Sequence, residues 1–313
     1  MELFLPVYFS YLLIISIYMY FFLGGFDTGI GLLIPFTKSK KIRKEWINTT
    51  APFWDANETW LVLAIGILLV AFPNAQAIIM VKLFIPIMIL VLGIIIRGFA
   101  YEFRTKLDIK NSNFWHYCFF LGSLLITIGQ GLIMFGYINN YDFFGINIFY
   151  SLIAVAFVAV INGVLGLLWL NFKWRKVLSE KINSFLMKLH YVFYTFLIIY
   201  LLKVIIYSNF KLHSLIFIAL FLSFSITKHF YKNILNSIII FSIELGTTFY
   251  MYSLIVYPNI VPSKNISVWD AAASTASLEV IFYGTVVMLP IILSYTIFSH
   301  FIFKDKITKI DYK

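Results

Sequence analysis

The segment Trp54-Asp55-Ala56-Asn57-Glu58-Thr59-Trp60 sets two carboxylates, an amide and two indoles immediately ahead of Leu61 to Phe72, a run that is apolar throughout apart from one glycine. Acids are scarce in this chain, with 14 Asp and Glu among 313 residues. If the chain is helical from Ala56 onward, Asp55 and Thr59 fall one turn apart on one face, with Glu58 beside them and Trp54 and Trp60 flanking. An ionisable group in a membrane-spanning segment costs about 2.5 to 3.5 kcal/mol at mid-bilayer on insertion scales, and less near an interface. Groups kept at that cost line a path or bind something. The plainer alternative is a tryptophan belt with carboxylates complementing a helix N-terminus.

Two other polar stretches close apolar runs. Gly24-Gly25-Phe26-Asp27-Thr28-Gly29-Ile30-Gly31 carries glycines dense enough, at Gly25 and Gly29 in particular, to let a second helix approach the backbone. That places Asp27 against protein, although a merely loosened backbone reads the same way. In Arg97-Gly98-Phe99-Ala100-Tyr101-Glu102-Phe103-Arg104-Thr105-Lys106, Arg97 and Tyr101 lie one turn apart, and Glu102 and Lys106 are spaced to pair. The alternative is a solvated helix end with anchoring cations, which is the better reading of Lys110.

The elements that position these groups follow from composition. The chain is 61% hydrophobic and only 12% charged, with a mean hydropathy of +0.91, which excludes a soluble globular domain and leaves a polytopic membrane protein. Apolar runs predict nine helices in a single membrane domain over residues 1–313: 6–35, 57–73, 78–98, 114–137, 146–170, 189–207, 212–227, 234–257 and 278–302. The start of the second is indistinct, and Pro73-Asn74 separates it from the third by a tight turn. Between Pro258 and Ser277 the prolines, Asn265 and Trp269-Asp270 predict an ordered cap with an aromatic anchor.

The net charge of +10 belongs to short basic runs between spans, so the positive-inside rule accounts for it and no nucleic-acid partner is implied. Those runs include Lys38 to Lys44, Arg97 to Lys110, Lys173 to Lys188, Lys228 and Lys232, and the tail from Lys304, and they alternate with nearly cation-free loops. The N-terminus is therefore expected outside and the C-terminus in the cytoplasm. Glu2 and the missing basic n-region predict a first span in place of a cleaved signal. Cys118 stands alone, so no disulfide or thiolate cluster forms within one chain.

With that orientation, Asp27, Asp55, Glu58, Glu102 and Lys106 all lie toward the cytoplasmic face. Titratable groups one hydrogen-bond or water step apart are what proton uptake requires. A static ion-pair network pinning three helices, or the coupling-ion site of a secondary transporter, stays open on the same residues.

Gly-Gly-Phe-Asp-Thr-Gly at 24–29, Trp-Asp-Ala-Asn-Glu-Thr-Trp at 54–60, Arg-Gly-Phe-Ala-Tyr-Glu-Phe-Arg at 97–104 and Val-Trp-Asp-Ala-Ala-Ala-Ser at 268–274 together resemble subunit II of the cytochrome bd quinol oxidases. The resemblance implies an all-α membrane protein of two four-helix bundles plus one peripheral helix. It implies a heterodimer with a similarly folded subunit I that holds two b-type haems and haem d, oxidises quinol and reduces oxygen to water in the bacterial cytoplasmic membrane. A small single-helix accessory subunit, membrane lipid and a bound structural quinone or lipid belong to the same expectation. Asp55, Glu102 and Lys106 correspond on this resemblance to proton-channel positions, with Asp27 and Glu58 as further path candidates; Glu102 stands where some relatives have Asp. Trp54, Trp60, Asn57, Arg97, Arg104, Gly25 and Gly29 are expected to be structural. Residues 138–232 match little of the family's pattern. His116, His190, His213, His229 and His300 form no evident mid-membrane axial pair, so neither haem nor another metal ion is expected in this chain, and its catalytic oxygen chemistry is assigned to the partner.

Overall fold

Apolar, glycine-punctuated runs with all backbone hydrogen bonds kept inside one segment can only settle as helices in lipid. In the computed structural model, which describes residues 2–106, 112–174, 185, 188–193, 195 and 234–302, they do so. The helices are α1 (Phe4–Leu33), α2 (Lys40–Asn48), α3 (Trp54–Ala71), α4 (Pro73–Lys82), α5 (Phe84–Lys106), α6 (Ser112–Ile138), α7 (Asn147–Trp174), α8 (Ile234–Val256) and α9 (Thr275–Ile302). Seven of them, all except α2 and α4, are long and apolar enough to cross a membrane. The spans expected at 189–207 and 212–227 fall largely or wholly outside the described residues.

Two boundaries differ from the sequence reading. The second span begins at Trp54, so the whole Trp-Asp-Ala-Asn-Glu-Thr-Trp segment is helical. The third, expected at 78–98, is instead two helices joined at Leu83, and α5 continues to Lys106. Pro86 explains the joint: it has no N–H to return to the carbonyl of Lys82, so the helix cannot run through. Arg97 and Arg104 consequently sit on a helix and are buried, at 1% and 8% exposure, and they do not belong to a solvated basic loop.

Helix α1 is the hub, packing on α3, α6 and α7, while α5 runs along α6. The closest crossing is α1 on α7. A Cβ on Gly29 would fall 1.9 Å from the carbonyl oxygen of Asn162, and one on Gly166 would fall 2.4 Å from the carbonyl carbon of Gly29. Only glycine admits that approach, the usual logic of small-residue helix contacts in membranes. Gly25, one turn earlier, faces Leu165 and Asn162.

One apolar core gathers Tyr20, Phe26, Ile30, Trp60, Phe119, Leu165 and Leu168 around α1. A second, at the opposite end, joins the start of α1 to the end of α3 and to α4. Over it lies the 258–277 segment, an antiparallel hairpin of β1 (Asn259–Val261) and β2 (Ile266–Ser267). The cap is held by Ala273 N–H to Ala71 O at 2.9 Å, Tyr137 Oη to Ile260 O at 2.7 Å and Trp269 Nε1 to Leu3 O at 3.3 Å. Helix α9 packs on α1 and α3 but leaves most of its surface open, with Val280, Val287, Ile297 and Phe298 exposed.

Candidate functional site

The glycine crossing holds the second half of α1 deep in the bundle, and that fixes Asp27, which is fully buried. Beside it the start of α3 presents Asn57, whose Nδ2 donates to Asp27 Oδ2 at 3.0 Å and to Leu23 O at 3.2 Å. From α5, Arg97 reaches into the same space. Its Nη1 donates to Thr28 Oγ1 at 2.8 Å, and its Nη2 forms an ion pair with Glu58 Oε1. Thr28 in turn donates to Gly24 O at 2.9 Å. Two acids, one guanidinium, an amide and a hydroxyl from three helices thus form one buried cluster.

Its electrostatics are those of an enclosed site. Two carboxylates face a single guanidinium, and the charges of Asp27 and Glu58 act on Arg97 and on each other. Among the described residues Asp27 Oδ1, Asn57 Oδ1, Glu58 Oε2 and Arg97 Nε are buried without a hydrogen-bond partner. Buried polar atoms of that kind each cost about 1 to 3 kcal/mol if left alone, and clustered together they offer the polar room that internal water occupies.

Asp55 and Glu102 stand outside this cluster. Both are exposed, and they lie close enough for their charges to repel. Asp55 also acts electrostatically on Glu58, which links the surface pair to the buried group. Of the five groups expected in one cluster, Asp27 and Glu58 form an inner set and Asp55 and Glu102 an outer one. The side chain of Lys106, last residue of α5, lies outside what is described. Thr59 lies one turn from Asp55 on α3, as expected, and its hydroxyl donates to the Asp55 carbonyl oxygen at 3.0 Å.

The remaining expected residues brace the site. Trp54 stacks on Tyr101 with ring centroids 5.4 Å apart and packs against the open face of Gly98. Tyr101 meets Thr50 Oγ1 at 2.9 Å. Trp60 is 1% exposed, so it is a core residue and not a boundary anchor. Arg104 lies over Tyr101 and donates to Lys44 O.

Several polar residues that matter here escaped the sequence reading. Tyr20, buried on α1, is within electrostatic reach of Asp27, Glu58 and Arg97 and lies beside Gln130. Asn162 Nδ2 donates to Gln130 Oε1 at 3.1 Å and to Thr127 Oγ1 at 3.2 Å. Ser123, Thr127 and Gln130 recur along one face of α6, and that spacing is the signal that could have found them. A separate buried pair joins His190 Nε2 to Glu244 Oε2 at 3.2 Å. Among the described residues no three His, Cys, Asp or Glu side chains come together to hold a metal ion.

This arrangement, on this fold, has relatives. The family model described as "Cytochrome bd terminal oxidase subunit II" matches residues 5–303. A Bacillus subtilis protein named "Cytochrome bd ubiquinol oxidase subunit 2" is 40% identical over 116 residues, which is 36% of this chain and 34% of that protein. The Escherichia coli "Cytochrome bd-I ubiquinol oxidase subunit 2" is 30% identical over 124 residues, 38% of this chain and 33% of its own. The aligned segments thus span about a third of the length of those relatives. A solved chain described as "The structure of bd oxidase from Geobacillus thermodenitrificans" superposes with a TM-score of 0.77 over 95% of this chain and 98% of that one, at 16% identity, and shares the fold. The chain is an integral membrane protein and belongs to the cytochrome bd terminal oxidase subunit II family.

Proposed function

We propose that this chain is the haem-free subunit of a bd-type quinol oxidase in the bacterial cytoplasmic membrane, where it stabilises the haem-bearing subunit I and supplies part of the route by which cytoplasmic protons reach the oxygen site. The observation that carries the proposal is the sequence of acids from surface to interior. Asp55 and Glu102 are exposed, Glu58 is paired to Arg97, and Asp27 is bonded to Asn57 beyond them.

In this reading Asp55 and Glu102 collect protons at the membrane surface. Glu58 and Asp27 carry them inward through the space between α1, α3 and α5, where the unpartnered oxygens of Asp27, Asn57 and Glu58 can each hold a water. Arg97 keeps the two buried acids from losing more solvation energy than the fold can bear, since an unpaired ionised group in that setting costs several kcal/mol. Asn57 fixes one oxygen of Asp27 and leaves the other to face the path. The haems of subunit I supply the electron transfer and oxygen reduction, so protons drawn from the cytoplasm build a membrane potential. The N-terminus lies outside and the C-terminus inside in this orientation, and quinol is the electron donor.

The Arg97–Glu58 pair also suits a subunit whose acids only pin helices. The two are separated by replacing Asp55 with Ala in the assembled complex. Slower oxygen consumption with haem d absorbance retained supports the route. Wild-type turnover with normal assembly removes Asp55 from it. Deletion of this chain is expected to abolish the haem d signal of the partner, and a fully loaded partner without it would contradict the stabilising role.

A further inference from the structure

At the end of the bundle that carries α2, a second polar group gathers around His116 and takes no part in the acid route. Arg43 of α2, Arg104 of α5 and His116 of α6 are 7%, 8% and 2% exposed. Lys40 and Lys44 stand exposed at the rim, and the charges of Arg104, Arg43, Lys44 and Lys40 all act on His116. Glu45 is the acid that acts on Arg104. Among the described residues neither Arg43 nor Arg104 forms an ion pair. Their neutral contacts are few. Arg43 Nε donates to Thr37 O at 2.8 Å and its guanidinium lies 5.1 Å from the Tyr117 ring centre, while Arg104 Nη1 donates to Lys44 O at 3.4 Å and its guanidinium lies 5.8 Å from the Tyr101 ring centre. Among the described residues Arg104 Nε and His116 Nδ1 are buried with no hydrogen-bond partner.

Among the described residues, two desolvated guanidiniums with Glu45 acting on only one of them are short of negative charge, and a cation in that position costs several kcal/mol until it is compensated. Planar guanidinium donors match phosphate oxygens two at a time. We propose that the pocket of Arg43, Arg104 and His116, rimmed by Lys40 and Lys44, binds a phosphate-bearing anion, supplied by the headgroup of an acidic phospholipid. The lipid source follows from what adjoins the pocket. Phe114, Tyr117 and Leu121 are 62%, 48% and 45% exposed and form an apolar stripe along α6 at helical spacing, with Tyr117 lying under Arg43 itself. An acyl chain can follow that stripe while its phosphate meets the guanidiniums, as basic pockets between transmembrane helices do elsewhere.

The test uses the purified complex containing this chain in nanodiscs of phosphatidylcholine, of phosphatidylcholine with phosphatidylglycerol, and of phosphatidylcholine with added inorganic phosphate. Thermal unfolding is followed in each, because a ligand that binds only the folded state raises the midpoint. Phosphatidylglycerol is expected to raise the midpoint of the wild type, with the rise lost in R43Q and reduced in the exposed double variant K40Q/K44Q, which leaves the buried packing untouched. A rise reproduced by inorganic phosphate in phosphatidylcholine alone supports the site and assigns it to the free ion. Equal midpoints in all three preparations overturn the proposal, and point to a carboxylate of another protein as the compensating charge. So does a phosphatidylglycerol effect that both variants retain in full.

Discussion

Arg97 of α5 and Glu58 of α3 form an ion pair inside the helical bundle, with the Arg97 side chain 1% exposed and that of Glu58 13% exposed. Removing one partner leaves the other as an uncompensated buried charge, which typically costs about 3 to 5 kcal/mol. Arg97→Leu is therefore expected to lower the thermal midpoint of the detergent-solubilised protein markedly. Arg97→Leu combined with Glu58→Gln is expected to recover most of that loss. A double variant as unstable as the single one would show that the two residues act separately.

The α1–α7 crossing makes a steric prediction. A side chain at Gly29 meets backbone, not a movable side chain, so the helices must separate. Gly29→Leu is expected to destabilise by about 3 kcal/mol or more, the upper end for overpacking. Because α1 then shifts, the Asp27–Asn57 bond is lost with it. Gly66→Ala, where a Cβ meets nothing within 4 Å, is expected to be neutral or slightly stabilising. Yields of folded protein and unfolding midpoints for the two variants provide the check.

Asn57 holds Asp27 by the 3.0 Å bond to Oδ2. Asn57→Leu leaves both carboxylate oxygens of Asp27 without a partner and is expected to cost about 1 to 3 kcal/mol. Asn57→Gln, with its longer reach, is expected to retain folding but to slow turnover by displacing Asp27 from the path. Comparing midpoints with oxygen consumption distinguishes the two effects, and a variant with wild-type values for both would show that the amide positions nothing.

Much of this site was legible in the sequence, because a polar residue in an apolar run stands out by its solvation cost alone. Asp27, Asn57 and Glu58 were picked on that ground, and all three lie in the buried cluster. Arg97 was expected to be structural but was counted in a basic run between spans, since hydropathy falls there whether the chain leaves the membrane or turns its charge inward; it lies buried on α5. The joint at Leu83 was missed for a related reason: Pro86 is as apolar as its neighbours, and what it lacks is an N–H. Tyr20, Gln130 and Asn162 could not be united from sequence. Each is a single uncharged residue on a different helix, and only the crossing at Gly29 and Gly166 brings them together. Asp55 and Glu102 were expected at the cytoplasmic face within one cluster with Asp27 and Glu58; both are exposed, Asp55 at the start of α3 and Glu102 near the end of α5, and they stand outside the buried group.

Entry of protons between Asp55 and Glu58 is tested by proton uptake during a single turnover. The assembled, fully reduced oxidase is mixed with oxygen in the presence of a pH indicator, while haem oxidation is followed in parallel. In Asp55→Asn proton uptake is expected to slow by about tenfold, equivalent to about 1.4 kcal/mol on the barrier, with the first haem oxidation step unchanged and Asp55→Glu close to wild type. Proton uptake at the wild-type rate in Asp55→Asn, and again in Glu58→Gln, would contradict it.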